Sequence, residues 1–92
     1  MSALQAEAVA LRVQAQTEQA LYHAACESCH TDLASFAQYH LEGWPISDNM
    51  VRCASERVER ANKSRDRYRT AHREWWVIFN AACDAESERL GL

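Results

Sequence analysis

The sequence contains few of the residues that build turns, with only 2 glycines and 1 proline among its 92 residues. An all-β domain of this length needs a turn every few residues, and turns favour Gly and Pro. This scarcity therefore excludes a sandwich or a barrel. Ala, Glu, Arg and Gln are abundant instead, and all four are favourable in helices. We predict an all-α fold in a single helical domain covering residues 1–92.

Long apolar runs are also lacking, since no run approaches the roughly 18 residues that a membrane-spanning helix needs. The first residues, MSALQAEAVALRV, do not show the cationic start and apolar stretch of a secretory signal. These absences predict a cytoplasmic protein that does not bind membranes. In that compartment the four cysteines are expected to be free thiols. The net charge of −3 gives no overall attraction to a polyanion.

One short segment, EGWPISDN at residues 42–49, interrupts the helical pattern. Gly43 can end a helix, and Pro45 cannot continue one. Either Ser47 or Asp48 can cap the next helix by accepting hydrogen bonds from its first free amides. The segments on either side each contain about forty residues without Gly or Pro. We predict a helix over about 2–41, a loop over 42–47 and a second helix over about 48–89.

Apolar and small residues recur at steps of three and four along both predicted helices, which is the spacing of a coiled-coil seam. When the chain folds back at its central loop, Tyr22 meets Tyr68 and the two seams coincide. The pattern therefore predicts a long antiparallel, coiled-coil-like helical hairpin. In this register Glu18 faces His72, and Arg65 is a second polar residue on the seam. We interpret both as polar layers that fix the register.

The segment HTDL at residues 30–33 allows an alternative fold. Thr31 could cap a new helix at this point. A break near residues 30–31 would divide the first helix and produce a three-helix bundle. The apolar residues would then be covered within one chain.

Five apolar residues follow one another without interruption at residues 75–79. In a helix their side chains point in all directions, whereas a hairpin covers one side only. Valine and leucine side chains lie at the same end of the first helix. Left exposed, these residues would form a patch above the few hundred Å² that monomers usually tolerate. We therefore predict a homodimer, formed as a four-helix bundle. The predicted oligomer or partner interface consists of Val9, Leu11, Val13, Trp75, Trp76, Val77, Ile78 and Phe79.

Basic residues are concentrated in the second helix, where residues 52–73 contain eight of the ten. Such a segment could bind a nucleic-acid backbone or an acidic partner protein. However, Glu56 precedes Arg60 by four residues, and Glu59 precedes Lys63 by four. This spacing favours ion pairs within the helix and a solvated surface. The residues of this candidate face are Arg57, Arg60, Lys63, Arg67, Arg69 and Arg73.

The segment CESCH places Cys26, Cys29 and His30 in the pattern of a c-type haem attachment site. The same residues could contribute to a zinc or redox site. Zinc, however, needs about four converging ligands. Residues 60–67, which face this segment in the hairpin, contain no Cys or His. We therefore predict no metal and no cofactor, and retain these three residues as an alternative metal or redox module.

No nucleophile or oxyanion donor can be placed around the Glu18–His72 pair, so we predict that the protein is not an enzyme. We expect a small protein–protein interaction module that acts as an adaptor or inhibitor by binding a partner's surface. Inhibitors of host machinery carried by phages and plasmids are one such class. A nucleic-acid-associated protein using residues 52–73 is the second hypothesis. A metal or redox module at Cys26, Cys29 and His30 is the third.

The length of the hairpin and the tryptophan in its central loop resemble the small secreted WXG-type proteins. Here the loop reads Gly43-Trp44-Pro45 rather than Trp-x-Gly. The C-terminal segment also lacks their export pattern of a tyrosine followed by an acid four residues later. We therefore do not assign the chain to that family.

Overall fold

The computed structural model describes residues 2–92, which form two α-helices joined by a short loop. Helix α1 spans Ala3–Glu42 and helix α2 spans Asp48–Leu90. The helices run antiparallel and form a rod with extents of 70 × 18 × 16 Å. A 40-residue helix is about 60 Å long, so the length of the rod is close to the length of one helix. The predicted all-α helical hairpin is confirmed; Met1, the first residue of the predicted domain, lies outside the described residues.

The ends of the helices are set by local hydrogen bonds. Ser2 Oγ accepts from the Gln5 amide N–H (3.1 Å), and the Ser2 amide donates to Gln5 Oε1 (2.9 Å), which forms a capping box. Helix α2 begins with Ser47, whose Oγ accepts from the Met50 amide at 3.1 Å. Helix α1 ends at Gly43, whose φ of 74° lies in the left-handed region that favours glycine. The chain therefore reverses direction at the segment that contains both Gly43 and Pro45.

Helix α1 is continuous through the site of the predicted alternative break at residues 30–31. Thr31 Oγ1 donates to the carbonyl oxygen of Glu27 at 3.1 Å. This hydroxyl therefore bonds back within the helix and does not cap a new one. The chain accordingly adopts the hairpin and not the three-helix bundle.

Small side chains occupy the interface between the helices. The buried residues of the described chain are Ala8, Ala15, Ala61, Ser64 and Ala71. Larger residues on the seam, such as Tyr22 and Trp75, are only half-buried. In a hairpin each side chain is covered from one side, and no large side chain in residues 2–92 becomes fully buried. The hairpin therefore has very little core of its own.

The predicted register is present at the centre of the hairpin, but α2 differs at alternate seam positions. Tyr22 and Tyr68 stack with ring centroids 6.2 Å apart. Ser64 and Ala71 are buried, whereas the seam prediction placed the neighbouring Arg65 and His72 there. Steps of three or four both fit the apolar pattern. At both positions the smaller residue is the buried one.

As a result, the polar layer predicted between Glu18 and His72 does not form. His72 is exposed, and its ring packs against Trp75 with centroids 5.5 Å apart. Glu18 Oε2 lies 3.5 Å from Arg67 Nε instead. This oxygen is buried and has no hydrogen-bond partner within residues 2–92. The ion pair with Arg67 is therefore the interaction that compensates the carboxylate.

A second ion pair joins the helices nearer the loop. Arg57 donates two hydrogen bonds to Asp32, from Nε to Oδ2 at 2.5 Å and from Nη2 to Oδ1 at 2.7 Å. The Asp32 side chain is 17% exposed. Hydrogen bonding from the guanidinium lowers the pKa of Asp32 below its usual value. Two-point contact of this kind fixes the relative position of the helices as well as stabilising them.

No helix within residues 2–92 combines the length and the apolar character that crossing a lipid bilayer requires.

Candidate interaction surface

Aromatic side chains form a continuous cluster at the open end of the hairpin, where the chain termini lie. Trp75 packs against Phe79 with ring centroids 5.2 Å apart and against Trp76 at 5.7 Å. Trp76 in turn stacks on Phe79 at 6.0 Å. The cluster continues toward the loop through His72 and Tyr68, whose centroids are 6.1 Å apart. Since Trp76 remains 50% exposed and Phe79 38%, the cluster is an exposed surface and not a core.

A groove of about 300 Å³ lies beside this cluster and between the two helices. We call it the aromatic groove. Trp75, Phe79 and Cys83 of α2 line one wall, and Val9 and Arg12 of α1 line the other. Three residues of the predicted interface, Val9, Trp75 and Phe79, are therefore brought together. The prediction did not include Arg12 and Cys83, although their spacing of three or four residues from Val9 and Phe79 is the signal that finds them.

The remaining residues of the predicted interface lie elsewhere. Leu11, Val77 and Ile78 line a second groove of about 380 Å³, whose other lining residues are Glu7, Arg73 and Glu74. Ile78 is half-buried there and contributes to the seam between the helices. Val13 lines neither groove and is exposed. The eight predicted residues therefore do not form one surface, because five successive helical residues point in all directions around the axis.

Four of the six residues in the candidate basic face are paired with carboxylates. Arg57 binds Asp32, and Arg67 lies beside Glu18, as described above. Arg60 lies 4.0 Å from Glu56, and Lys63 lies 3.7 Å from Glu59. The pairs at i,i+4 spacing are those that the sequence predicted. Acidic neighbours therefore neutralise most of the basic segment.

Arg69 and Arg73 are the exceptions, since neither has an acidic partner at ion-pair distance in the part of the chain that the structure describes. Together with Tyr68, His72 and Trp76 they line a groove of about 550 Å³. We call it the arginine groove. Trp76 lines this groove and also stacks on Phe79 of the aromatic groove, so the two grooves are adjacent. The open end therefore combines exposed aromatic rings with two uncompensated positive charges.

The candidate metal or redox residues do not form a cluster. Cys26 and Cys29 are half-buried free thiols, and His30 is exposed. No three His, Cys, Asp or Glu side chains within residues 2–92 come together as metal ligands. The Cys26 thiol interacts with Tyr22 and raises the pKa of its phenol, chiefly through a hydrogen bond. The arrangement is that of small side chains packed beside the seam.

The chain matches no protein-family model, no curated protein and no solved structure.

Proposed function

We propose that the chain is a non-enzymatic protein–protein interaction module, which self-associates and acts as an adaptor or inhibitor by covering a partner protein's surface. The observation that carries this proposal is the exposed aromatic cluster built around Trp75, Trp76 and Phe79. Tryptophan and tyrosine are enriched among the residues that dominate binding energy at protein interfaces. A cluster of this kind, left half-exposed at one end of a rod, is suited to covering by another protein.

The total surface of the hairpin supports the same proposal. Its accessible area is 6918 Å². A compact globular protein of 10.5 kDa exposes roughly 5,400 Å². The excess of roughly 1,500 Å² exceeds the approximately 800 Å² that each partner buries in a typical stable interface. A second copy, a partner protein or both could therefore cover surface that a globular chain of this size would bury within itself.

The charge distribution favours a protein partner over nucleic acid. Neutralising each DNA phosphate contributes about −0.9 to the slope of log K against log salt, and tight binding needs several such contacts. Four of the six candidate basic residues are occupied by carboxylates, which leaves Arg69 and Arg73. Two free arginines give a weak, strongly salt-sensitive interaction with a polyanion. Next to aromatic rings, they are instead well placed to orient an acidic protein surface.

Sedimentation equilibrium at micromolar concentration tests the self-association. We expect the wild-type chain to sediment as a dimer. Trp76→Glu should weaken the dimer at least about tenfold, because it places a charge in an apolar contact. Trp44→Glu is the matched control, since Trp44 is also an exposed tryptophan but lies in the loop at the other end of the rod. A wild-type chain that remains monomeric at every concentration would contradict the proposal.

Binding of a partner is tested separately with a photo-crosslinking amino acid at position 9, inside the aromatic groove, and at position 38 as a control. The protein captured from position 9 in the source cell is then purified, and its affinity is measured directly. We expect Phe79→Glu to abolish that binding, because Phe79 lines the same groove. Equal capture from both positions would contradict a specific partner surface at the open end.

A further inference from the structure

The exposed side of α2, roughly opposite the seam, carries an ordered sequence of charges at the open end of the hairpin. Two of its residues, Arg73 and Val77, also border α1 at the edge of the second groove. We define the outer stripe of α2 by seven of the exposed residues on this side, which are Arg69, Arg73, Trp76, Val77, Asn80, Asp84 and Glu88. At 3.6 residues per turn, all seven point within about 70° of the direction opposite the seam. Along the stripe, two basic residues come first, apolar residues occupy the centre, and two acidic residues follow.

The charges at both ends of the stripe lack partners within their own chain. Neither the two arginines nor Asp84 and Glu88 have an oppositely charged group at ion-pair distance within residues 2–92. Arg69 and Arg73 are also four residues apart, as are Asp84 and Glu88. Like charges at this spacing lie about 6 Å apart along the axis and weaken a helix. The isolated hairpin therefore contains two unfavourable like-charge pairs on one exposed stripe.

The positions of these charges are symmetric. Arg73 and Asp84 are equally far from a midpoint between residues 78 and 79, and so are Arg69 and Glu88. A twofold axis through that midpoint would place the basic half of one stripe against the acidic half of another. Two-fold dimers use the same patch on both subunits, and such a patch must be self-complementary. The outer stripe of α2 has this property in its charges.

We propose that two copies of the chain pair through the outer stripe of α2, antiparallel and centred between residues 78 and 79. This inference rests on the self-association in the proposed function and specifies its surface and register. Arg73 of each copy then pairs with Asp84 of the other, and Arg69 pairs with Glu88. The carboxylates lie beside the arginine groove, whose lining includes both arginines. All four like-charge pairs of the two chains are compensated at once.

The centre of the stripe supplies the apolar contact that such a dimer needs. Val77 is 59% exposed in the hairpin, and Trp76 remains half-exposed beside it. In the proposed register Val77 faces Asn80 of the second copy, and Trp76 flanks this contact. The contact covers residues 69–88, which is about 30 Å of helix. Burial of these apolar groups provides affinity, and the flanking charges determine the register. The aromatic groove remains open for a partner protein.

Charge reversal on the full-length chain tests the register. The arginine-reversed variant carries Arg69→Glu and Arg73→Glu, and the acid-reversed variant carries Asp84→Arg and Glu88→Arg. A homodimer of either variant would place like charges in contact at four positions. We expect each to weaken self-association at least about tenfold in sedimentation velocity. Circular dichroism verifies that both remain helical.

Mixing the two reversed variants provides the decisive measurement. An arginine-reversed chain and an acid-reversed chain have complementary charges at all four positions. We therefore expect the mixture to form a heterodimer with an affinity close to that of the wild-type homodimer. The control variant carries Arg60→Glu and Lys63→Glu, which make the same charge change on α2 outside the stripe. It should dimerise like the wild type, and mixing it with the acid-reversed chain should not restore dimerisation of that chain.

The other outcomes would contradict the register, the self-association or the dimer itself. If the reversed variants dimerise as well as the wild type, or the mixture shows no rescue, the proposed register is wrong while self-association stands. If the wild type does not dimerise at all, self-association itself fails. If the wild type is monomeric but binds an acidic peptide or an oligonucleotide through Arg69 and Arg73, the arginine groove serves a different ligand and the proposed dimer is wrong.

Discussion

Removal of the hydroxyl group of Ser64 should stabilise the hairpin. Ser64 is 3% exposed, and its Oγ has no hydrogen-bond partner within residues 2–92. A buried hydroxyl without a partner costs about 1–3 kcal/mol of folding free energy. Alanine also exceeds serine in helix propensity by about 0.5 kcal/mol. We therefore expect Ser64→Ala to increase the free energy of unfolding by about 1–3 kcal/mol.

Thermal unfolding followed by circular dichroism measures this change. For a domain of this size, 1 kcal/mol corresponds to about 4–8 °C in Tm, so the Tm of Ser64→Ala should rise by at least about 4 °C. Ser55→Ala is the matched control, because Ser55 is an exposed serine on the same helix. It should gain only the propensity difference. All samples need the same protein concentration, since self-association makes Tm concentration-dependent.

A Tm of Ser64→Ala that is lower than the wild-type Tm, or raised no more than in Ser55→Ala, would contradict this prediction. Either result would mean that the Ser64 hydroxyl has a partner in the folded protein. The assignment of Ser64 to a tightly packed layer between the helices would then be incorrect.

Three further predictions concern the ion pair between Asp32 and Arg57, the absence of cofactors and the binding of DNA. The pKa of Asp32 is lowered by its hydrogen bonds from Arg57, so the stability it contributes is present above its usual pKa of 3.8 and is lost as the pH falls below that value. Asp32→Asn should therefore lower the Tm at neutral pH, and its Tm should fall less than that of the wild type on acidification; parallel pH curves would contradict this. Elemental analysis and intact mass should reveal no stoichiometric metal and no covalent group, and addition of EDTA should leave the Tm unchanged. In a mobility-shift assay at about 0.15 M salt, double-stranded DNA should bind no more tightly than roughly 10⁻⁶ M. Submicromolar binding that is lost in the Arg60, Lys63, Arg67 triple alanine variant would favour the nucleic-acid hypothesis.

The hairpin could be predicted from sequence because its determinants are chemically distinctive. Gly43, Pro45 and Ser47 occur together at one place in a chain that has almost no other turn residues. Fixing the turn also fixes which residues face each other, and Tyr22 and Tyr68 stack accordingly. At Thr31 the sequence allows either a continuous helix or a break, because a threonine can bond back within a helix or cap a new one.

The phase of the α2 seam could not be predicted with the same accuracy. Steps of three and four allow two neighbouring choices at alternate positions, and apolar content does not separate them. The structure buries Ser64 and Ala71, whereas His72 is exposed and Arg65 is only half-buried. Which neighbour is buried depends on the packing of the whole hairpin, so it is not visible in any local pattern.

The same shift in phase explains why the candidate surface was only partly predicted. The sequence shows that the five apolar residues at 75–79 are more than one side of a hairpin can cover, but their distribution around the helix depends on the seam. Ile78 contributes to the seam, whereas Trp76 and Val77 point outward in different directions. The pairing of the arginines with acids on α1, such as Arg67 with Glu18, also requires the three-dimensional register.

Small-angle X-ray scattering of the wild-type chain shows whether a second copy covers the open end of the hairpin. The forward scattering gives the mass of the particle without labels or variants. The proposed dimer predicts a mass of about 21 kDa, twice the chain mass of 10.5 kDa, at concentrations well above micromolar. A particle of 10.5 kDa whose radius of gyration is close to the 20.6 Å of the single hairpin would contradict it.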